Sequence, residues 1–258
     1  MVDEENIKCI EKLILNAVPA KQTIIHNNWV LRLNEGYTYR ANCICPIEYG
    51  NKADTEEALR FGEGVFQRAG IPPIVKVTPV LQKDFEDILL SRDYEKIKTV
   101  YAMDCDLKKD SYEIKSFIRM ERYPTDQWLK ASGEFTGIED GKLLATHIEG
   151  IKNIAVNSVF VSAWDEGKII GCGYGTLENG YVGIYDLHVK SEYRKRGIGT
   201  GIIKGILEYG RTEGAHKGYL IVHSKNSNAI GLYEHNGFKK VYEYSFYKKR
   251  NCGEEIRD

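Results

Sequence analysis

Between residues 158 and 189 the chain is almost unbroken β-former, cut only by two turn signals. "SVFVSAW" passes through Asp165-Glu166-Gly167-Lys168 into "KIIGCGYGTL", which passes through Glu178-Asn179-Gly180 into "YVGIYDLHV". Connections this short join only antiparallel neighbours, so the segment commits the chain to a three-stranded antiparallel sheet. The next stretch, "SEYRKRGIGTGIIKGIL" at 191–207, carries three cations, then alternate glycines, then an apolar run. Ile198, Ile202 and Ile206, with Ile203 and Leu207 beside them, recur at helical spacing and need a sheet to pack on. The glycines weaken any regular element they enter, which demands a reason for them.

The rest of the chain alternates in the same manner. Downstream come a strand, "GYLIV", a short helix, "NAIGLYEHN", and a last strand, "FKKVYEYSFY". Upstream, "EIKSFIRMER" reads as a strand, and "TDQWLKASGEF" and "GKLLATHIEGI" as helices. The first hundred residues open on an amphipathic helix with Ile7, Ile10, Ile14 and Ala17 on one face. Two β-rich runs in "QTIIHNNWVLRLNEGYTYRANCICP" follow, around Asn34-Glu35-Gly36. Asp54 with Glu57 forms a capping box for a helix that has Ala58, Phe61, Val65 and Ala69 on one face and stops at Gly70. Strand "PPIVKVTPV", helix "KDFEDILL" and strand "KIKTVYAMDC" complete the half.

Because residues 89–103 lie over 232–246 when one residue is skipped, the expectation is two related α/β units. They span 1–108 and 109–258, with a short packed junction near 104–111.

Thirty-six basic and 37 acidic residues leave a net charge of -1, so no overall field attracts a nucleic acid or an anionic membrane. Any anion site must be local. No apolar run approaches the roughly 20 residues of a membrane-spanning helix. "MVDEENIKCIEKLILNAV" has neither the cationic start nor the solid apolar core of a signal peptide. Cys9, Cys43, Cys45, Cys105, Cys172 and Cys252 show no zinc-type spacing and no disulfide framework, only one Cys-x-Cys pair. These features are read as a cytoplasmic protein with reduced thiols and no metal.

A glycine turn between a strand and a helix admits a ligand to the backbone amides, and the helix dipole favours negative charge there. Arg194, Lys195 and Arg196 add cations where phosphates would enter. A tight turn with a solvated basic edge satisfies the same residues. The spacing fits neither a Walker loop nor the dinucleotide fingerprint. It does resemble the acetyl-CoA loop of the GNAT superfamily of N-acyltransferases, whose Arg/Gln-x-x-Gly-x-Gly/Ala pattern is met by Arg194, Gly197 and Gly199. "DLHVKSEYR" is similar to the family's fourth strand and its exit. "NSNAIGLYEHNGF" is similar to its Asn-x-x-Ala-x-x-Leu-Tyr segment, through Asn226, Ala229, Leu232, Tyr233, Gly237 and Phe238.

The resemblance covers about residues 110–250 and implies an α+β GNAT fold in two tandem units, each a mixed, mostly antiparallel sheet flanked by helices. The first unit looks like a worn copy: it has no Arg-x-x-Gly-x-Gly before its helix at 55, and Leu90 takes the place aligned with Tyr233.

What the resemblance implies for function is acetyl transfer from acetyl-CoA to a primary amine, of a small molecule or a protein, by direct attack on the thioester. The partner is then an amine, with neither nucleic acid nor membrane involved, and the protein a monomer or homodimer. Leu187, His188 and Val189 would offer backbone groups to pantetheine. Arg194, Lys195, Arg196, Gly197, Ile198, Gly199 and Thr200 would hold the diphosphate, and Asn226 would bond the pantetheine chain or simply cap its helix.

Tyr233 would protonate the leaving thiolate, since a phenol stays protonated at neutral pH. Where many members place a glutamate base this chain has Gly183. Asp186 and His188, on one face of their strand by alternation, are the candidates to relay a proton through water, or are simply polar surface. The missing glutamate also leaves open a non-catalytic acyl-CoA sensor. Arg32 and Arg40, near Trp29 and Asn42, either face a substrate or brace the β-rich runs. Cys172 reads as a small apolar filler.

Overall fold

A computed structural model describes residues 3–47, 52–81, 84–107 and 110–250. Two compact units emerge. One comprises the chain up to Tyr101 together with the stretch from Tyr242 onward, and the other spans Ala102–Val241.

In chain order, the first unit contains α1 (Glu4–Ala17), β1 (Gln22–His26), β2 (Trp29–Leu33), β3 (Ile44–Pro46), α2 (Lys52–Arg68), β4 (Ile74–Val77), α3 (Asp84–Ser91) and the start of β5 (Tyr94–Asp106). The second contains β6 (Ile118–Glu121), α4 (Asp126–Thr136), α5 (Gly141–Lys152), β7 (Asn157–Asp165), β8 (Lys168–Glu178), β9 (Tyr181–Val189), α6 (Ile198–Thr212), β10 (Lys217–His223) and α7 (Ser227–His235). Strand β11 (Lys239–Lys249) closes the order. From Tyr242 it belongs to the first unit because it pairs antiparallel with β4, Ser245 opposite Val77. The junction read near 104–111 is thus followed by a return of the chain at 242.

In the first unit β1, β2 and β3 are antiparallel neighbours and β3 runs parallel to β4. The hairpin turns at Asn27, which holds φ +51°, inside what reads as one β-rich run. Asn34-Glu35-Gly36 instead opens a loop braced by Asn42, whose carboxamide accepts from the N–H of Asn34 and Gly36 and donates to the carbonyls of Tyr37 and Thr38. Helix α2 begins at Lys52, which puts Asp54 within its first turn. Its core face is Ala58, Leu59, Val65 and Phe66, packed with Leu31, Ile44, Val75, Phe85 and Leu89. Phe61 lies outside that face and stacks on His26, ring centroids 3.9 Å apart. The four-residue face expected from spacing is therefore rotated.

In the second unit the strand order is β5-β10-β9-β8-β7-β6. The meander read from the sequence is present, with Glu166, Gly167, Asn179 and Gly180 all at positive φ in its two turns. Residues 113–117 are not strand: Ile118 N–H bonds the Lys115 carbonyl in a turn, and β6 is only the last part of the expected run. Ile198, Ile202, Ile203, Ile206 and Leu207 are all buried, and α6 lies close on the sheet. A Cβ at Gly175 of β8 would stand 2.5 Å from the Ile206 side chain. On the α4 side, Trp128 is fully buried, donates through Nε1 to the Val161 carbonyl and meets Phe160 edge to face. Among the described residues no helix is long and apolar enough to cross a membrane.

Candidate active site

The catalytic and cofactor-binding residues read from the sequence all lie in the second unit, around the end of β9 and the helices that follow it. This strand pairs parallel with β10 from Tyr181 opposite Lys217 to Ile184 opposite Leu220, and there the pairing stops. Both strands run on, β9 to Val189 and β10 to His223. From Tyr185 onward β9 keeps its bonds to β8 while its β10-side edge lies beyond the last β9–β10 pair. An extended ligand can add to such an edge as a further strand does. Leu187, His188 and Val189 are on it.

A bulge accompanies the parting. Asp186 holds φ +46°, and the β8 register skips from Tyr174 opposite Tyr185 to Cys172 opposite His188. Asp186 and Leu187 thus share one partner, Gly173, which bends the strand and breaks the simple alternation assumed from the sequence. Asp186 and His188 nevertheless share surroundings. Burial holds the His188 imidazole below the ordinary histidine value, with Asp186 opposing and Arg194 adding to the shift.

One residue absent from the sequence reading joins them. His147 of α5 is 3% exposed, and its Nε2 lies 3.0 Å from Oγ of Ser132, itself fully buried on α4. Its imidazole is also held down by burial first, raised by Asp186 and lowered by His188. The signal was a polar residue in an apolar stripe, four residues after Leu143 and four before Ile151.

The absence of a glutamate at Gly183 has a local cause. A Cβ there would stand 2.6 Å from both Cζ and the hydroxyl oxygen of Tyr219, and 2.7 Å from Tyr185. Those two buried tyrosines share a hydroxyl hydrogen bond of 2.7 Å. The glycine makes room for the pair.

After β9, Arg194 ties the loop to the strand, its Nε donating to the Val189 carbonyl over 3.1 Å. Arg196 sits over the Tyr193 ring, and all three cations are exposed. Gly197 caps α6 at φ +78°, with nothing within 4 Å of where a Cβ would stand. The first intrahelical bond is from Gly201 N–H to the Gly197 carbonyl, so the N–H groups of Ile198, Gly199 and Thr200 precede the ladder. These residues fit a diphosphate: an open space, a helix N-terminus and flanking cations.

Helix α7 docks on the same turn. The Leu232 side chain would be 3.0 Å from a Cβ at Gly199, and Asn236 Nδ2 donates to Thr200 Oγ1 at 3.4 Å. Tyr233, 9% exposed, follows Leu232 and meets Phe238 edge to face. Asn226 caps α7 by accepting from Ala229 N–H at 3.1 Å, which occupies its carbonyl oxygen and not its amide nitrogen.

Cys172 is fully buried and burial pushes its thiol well up, in keeping with a filler. Arg32, in the first unit, is buried and donates to the carbonyls of Arg40, Leu15 and Val18, which braces the loop. Between α4 and α5 lies a cavity of about 530 Å³ lined by Leu129, Ile138, Leu144 and Ile148, none of them on β9. Among the described residues no cluster of three metal-ligating side chains occurs.

Comparison with known proteins gives a consistent picture. A family profile described as "Probable histone acetyltransferase Rv0428c C-terminal" matches residues 5–247. The chain is 26% identical over 255 residues to "Uncharacterized N-acetyltransferase YobR" of Bacillus subtilis (strain 168), covering 95% of this chain and 100% of that protein. A GCN5-related N-acetyltransferase from Kribbella flavida superposes with TM-score 0.73 at 12% identity, over 97% of each chain. A tandem GNAT protein from the clavulanic acid biosynthesis pathway does so with TM-score 0.67 at 12% identity, over 94% of this chain and 87% of its own.

Proposed function

Since the chain belongs to the acetyltransferase family described as probable histone acetyltransferase Rv0428c C-terminal, within the GNAT superfamily, we propose that it transfers an acetyl group from acetyl-CoA to a primary amine. The observation that carries this reading is the parting of β9 from β10 after Ile184 and Leu220, directly before the glycine-capped N-terminus of α6. When bound, acetyl-CoA supplies the activated acyl carbon that the amine attacks.

The chain's own residues divide the remaining work. Backbone groups of Leu187, His188 and Val189 align the pantetheine arm along the strand edge, and an N–H among them polarises the thioester carbonyl. Arg194, Lys195 and Arg196, with the amides of Gly197, Ile198, Gly199 and Thr200, hold the diphosphate. The Asn226 amide nitrogen bonds the arm while its oxygen caps α7. Tyr233 gives its proton to the departing thiolate.

The incoming amine must lose a proton before or during attack, and His188 and His147 are kept neutral by burial beside Asp186. A neutral imidazole accepts that proton, directly or through water, and Asp186 then stabilises the imidazolium. This cluster takes the place of the strand glutamate that Gly183 lacks, and it supports catalysis over an acyl-CoA sensor. The acceptor is a small-molecule amine or a protein amino group.

The test is calorimetric titration of the full chain with coenzyme A, followed by thiol release from acetyl-CoA against a panel of amines. Saturable binding that weakens in Gly197→Val, with amine-dependent thiol release, is expected. Binding without turnover on any amine would instead make the protein a sensor.

A further inference from the structure

Cys45 lies on strand β3 and Cys43 directly precedes it; Ile44 between them enters the core with Leu31 and Val75, and the two cysteines lie to the other side. Cys43 is fully buried and Cys45 is 7% exposed, and their sulfurs lie 3.2 Å apart. That contact is closer than ordinary packing. A disulfide needs roughly 2.05 Å, so about 1 Å of closure between the two side chains would form the bond.

The surroundings are electropositive and include a small cavity with polar groups at its wall. Lys76, 4% exposed, pairs with Glu11 at 2.5 Å and lies over the Tyr244 ring. Arg32 is close enough to act on both thiols. Cys45 lines a cavity of about 20 Å³ together with Glu11, Lys8, Lys12 and Thr78. Thr78 Oγ1 is buried with no hydrogen-bond partner among the described residues, an orphan hydroxyl at a cavity large enough for a single water-sized molecule. The two thiols are also unlike. The hydrogen bond between the sulfurs, helped by Lys76 and Arg32, lowers the Cys45 thiol against its burial, whereas burial raises Cys43. Cys45 borders the cavity and Cys43 does not, so an entering oxidant meets Cys45 first with Cys43 behind it.

We propose that Cys43 and Cys45 are a reversible redox pair, in which Cys45 reacts with a small hydroperoxide and Cys43 closes the disulfide. In the first step the Cys45 thiolate attacks one peroxide oxygen: an S–O bond forms, the O–O bond breaks, and the leaving hydroxide or alkoxide takes up a proton. In the second, the Cys43 sulfur attacks the Cys45 sulfenic acid. The S–S bond forms, the S–O bond breaks, and the hydroxyl leaves as water with the Cys43 proton. Two thiols are oxidised by two electrons and one peroxide is reduced. The orphan Thr78 hydroxyl can donate to the peroxide in the cavity.

Hydrogen peroxide is the probe, applied to the full reduced chain, which is then alkylated and digested with trypsin. The fragment from Ala41 to Lys52 holds both thiols. It should lose two hydrogen atoms, and dithiothreitol should restore them. Cys105, whose thiol burial pushes up to about 12, and Cys172 serve as internal references and should react at least ~10-fold more slowly. Cys43→Ser should stop at a dimedone-trappable sulfenic acid on Cys45, and Cys45→Ser should leave the fragment unoxidised. If either variant fails to fold, the competition within the wild-type chain decides alone. Oxidation of the fragment no faster than Cys105 and Cys172, or a tightly held soft metal ion protecting both thiols, would overturn the proposal.

Discussion

In the second unit β9, α6 and β10 form a parallel crossover whose strands part after Ile184 and Leu220, while in the first β3, α2 and β4 form a parallel crossover with Ile44 opposite Val75. The polar groups beside the two crossovers are treated in opposite ways. Beside β3 and β4, Lys76 is locked to Glu11, Glu11 also accepts from the Tyr242 hydroxyl at 2.7 Å, and Tyr244 covers the ammonium. Beside β9, the titratable groups Asp186, His188 and His147 meet at a bulge where the strand has left its neighbour, and the imidazoles are held neutral. One arrangement uses charge to fix packing. The other keeps a proton acceptor next to an open edge, and only the second crossover is followed by Arg194, Gly197 and Gly199.

The sharpest way to break this contrast is to unpair the closed cluster. Glu11→Ala leaves the Lys76 ammonium buried without its carboxylate and should cost about 3–5 kcal/mol of stability. The denaturant midpoint should fall while coenzyme A affinity, read on the folded protein, stays the same. A folded variant that no longer binds coenzyme A would show the closed cluster to be part of the working site. Next in size is Tyr233→Phe, which removes a proton donor from the open site: kcat should fall about 100-fold with coenzyme A affinity and folding unchanged. An unaltered kcat would move the thiolate's proton source elsewhere.

A smaller effect tests why the strand glutamate is missing. Gly183→Glu drives a Cβ to 2.6 Å from Tyr219, an overpacking worth about 1–3 kcal/mol, and should lower the melting temperature without raising activity. Adding Tyr219→Ala should recover part of the lost stability. A gain in kcat from Gly183→Glu alone would mean that the histidine and aspartate groups are not the proton acceptor.

Much of this contrast is legible in the sequence because its causes are local. The α6 stripe, the turns at Glu166-Gly167 and Asn179-Gly180, and the glycine cap at Gly197 each depend on a few neighbouring residues whose backbone needs are specific. What was not legible depends on partners distant in sequence. The hairpin turn at Asn27 competes with a stronger-looking signal at Asn34-Glu35-Gly36, and the loss goes to the one that Asn42 holds in a loop. Phe61 has the right spacing for the core, yet the helix is rotated so that Leu59 and Phe66 fill it. The bulge at Asp186 follows from the register against β8, and His147 reaches the site only because α4 and α5 pack with Ser132 against it.

The smallest expected effect is a pH dependence that belongs to the open site. His147 and His188 both have their imidazoles held below the ordinary value in the folded protein, by burial first and against the pull of Asp186. In the unfolded chain each titrates near about 6.5. As pH falls through that value the unfolded state takes up protons that the folded state refuses, so stability declines. It is flat above about 6.5, and the decline ends once pH has passed below the folded-state values. Each proton withheld contributes a slope of about 1.4 kcal/mol per pH unit within that window. Replacing His147→Gln, which can still bond Ser132, should flatten the acid side of a plot of melting temperature against pH. The same neutrality sets the acid limb of kcat/KM below about 6.5 if an imidazole takes the amine's proton. An acid limb well above neutrality, with the stability plot unchanged by His147→Gln, would show that these imidazoles are ordinary buried polar groups and that the two crossovers differ only at the glycine turn.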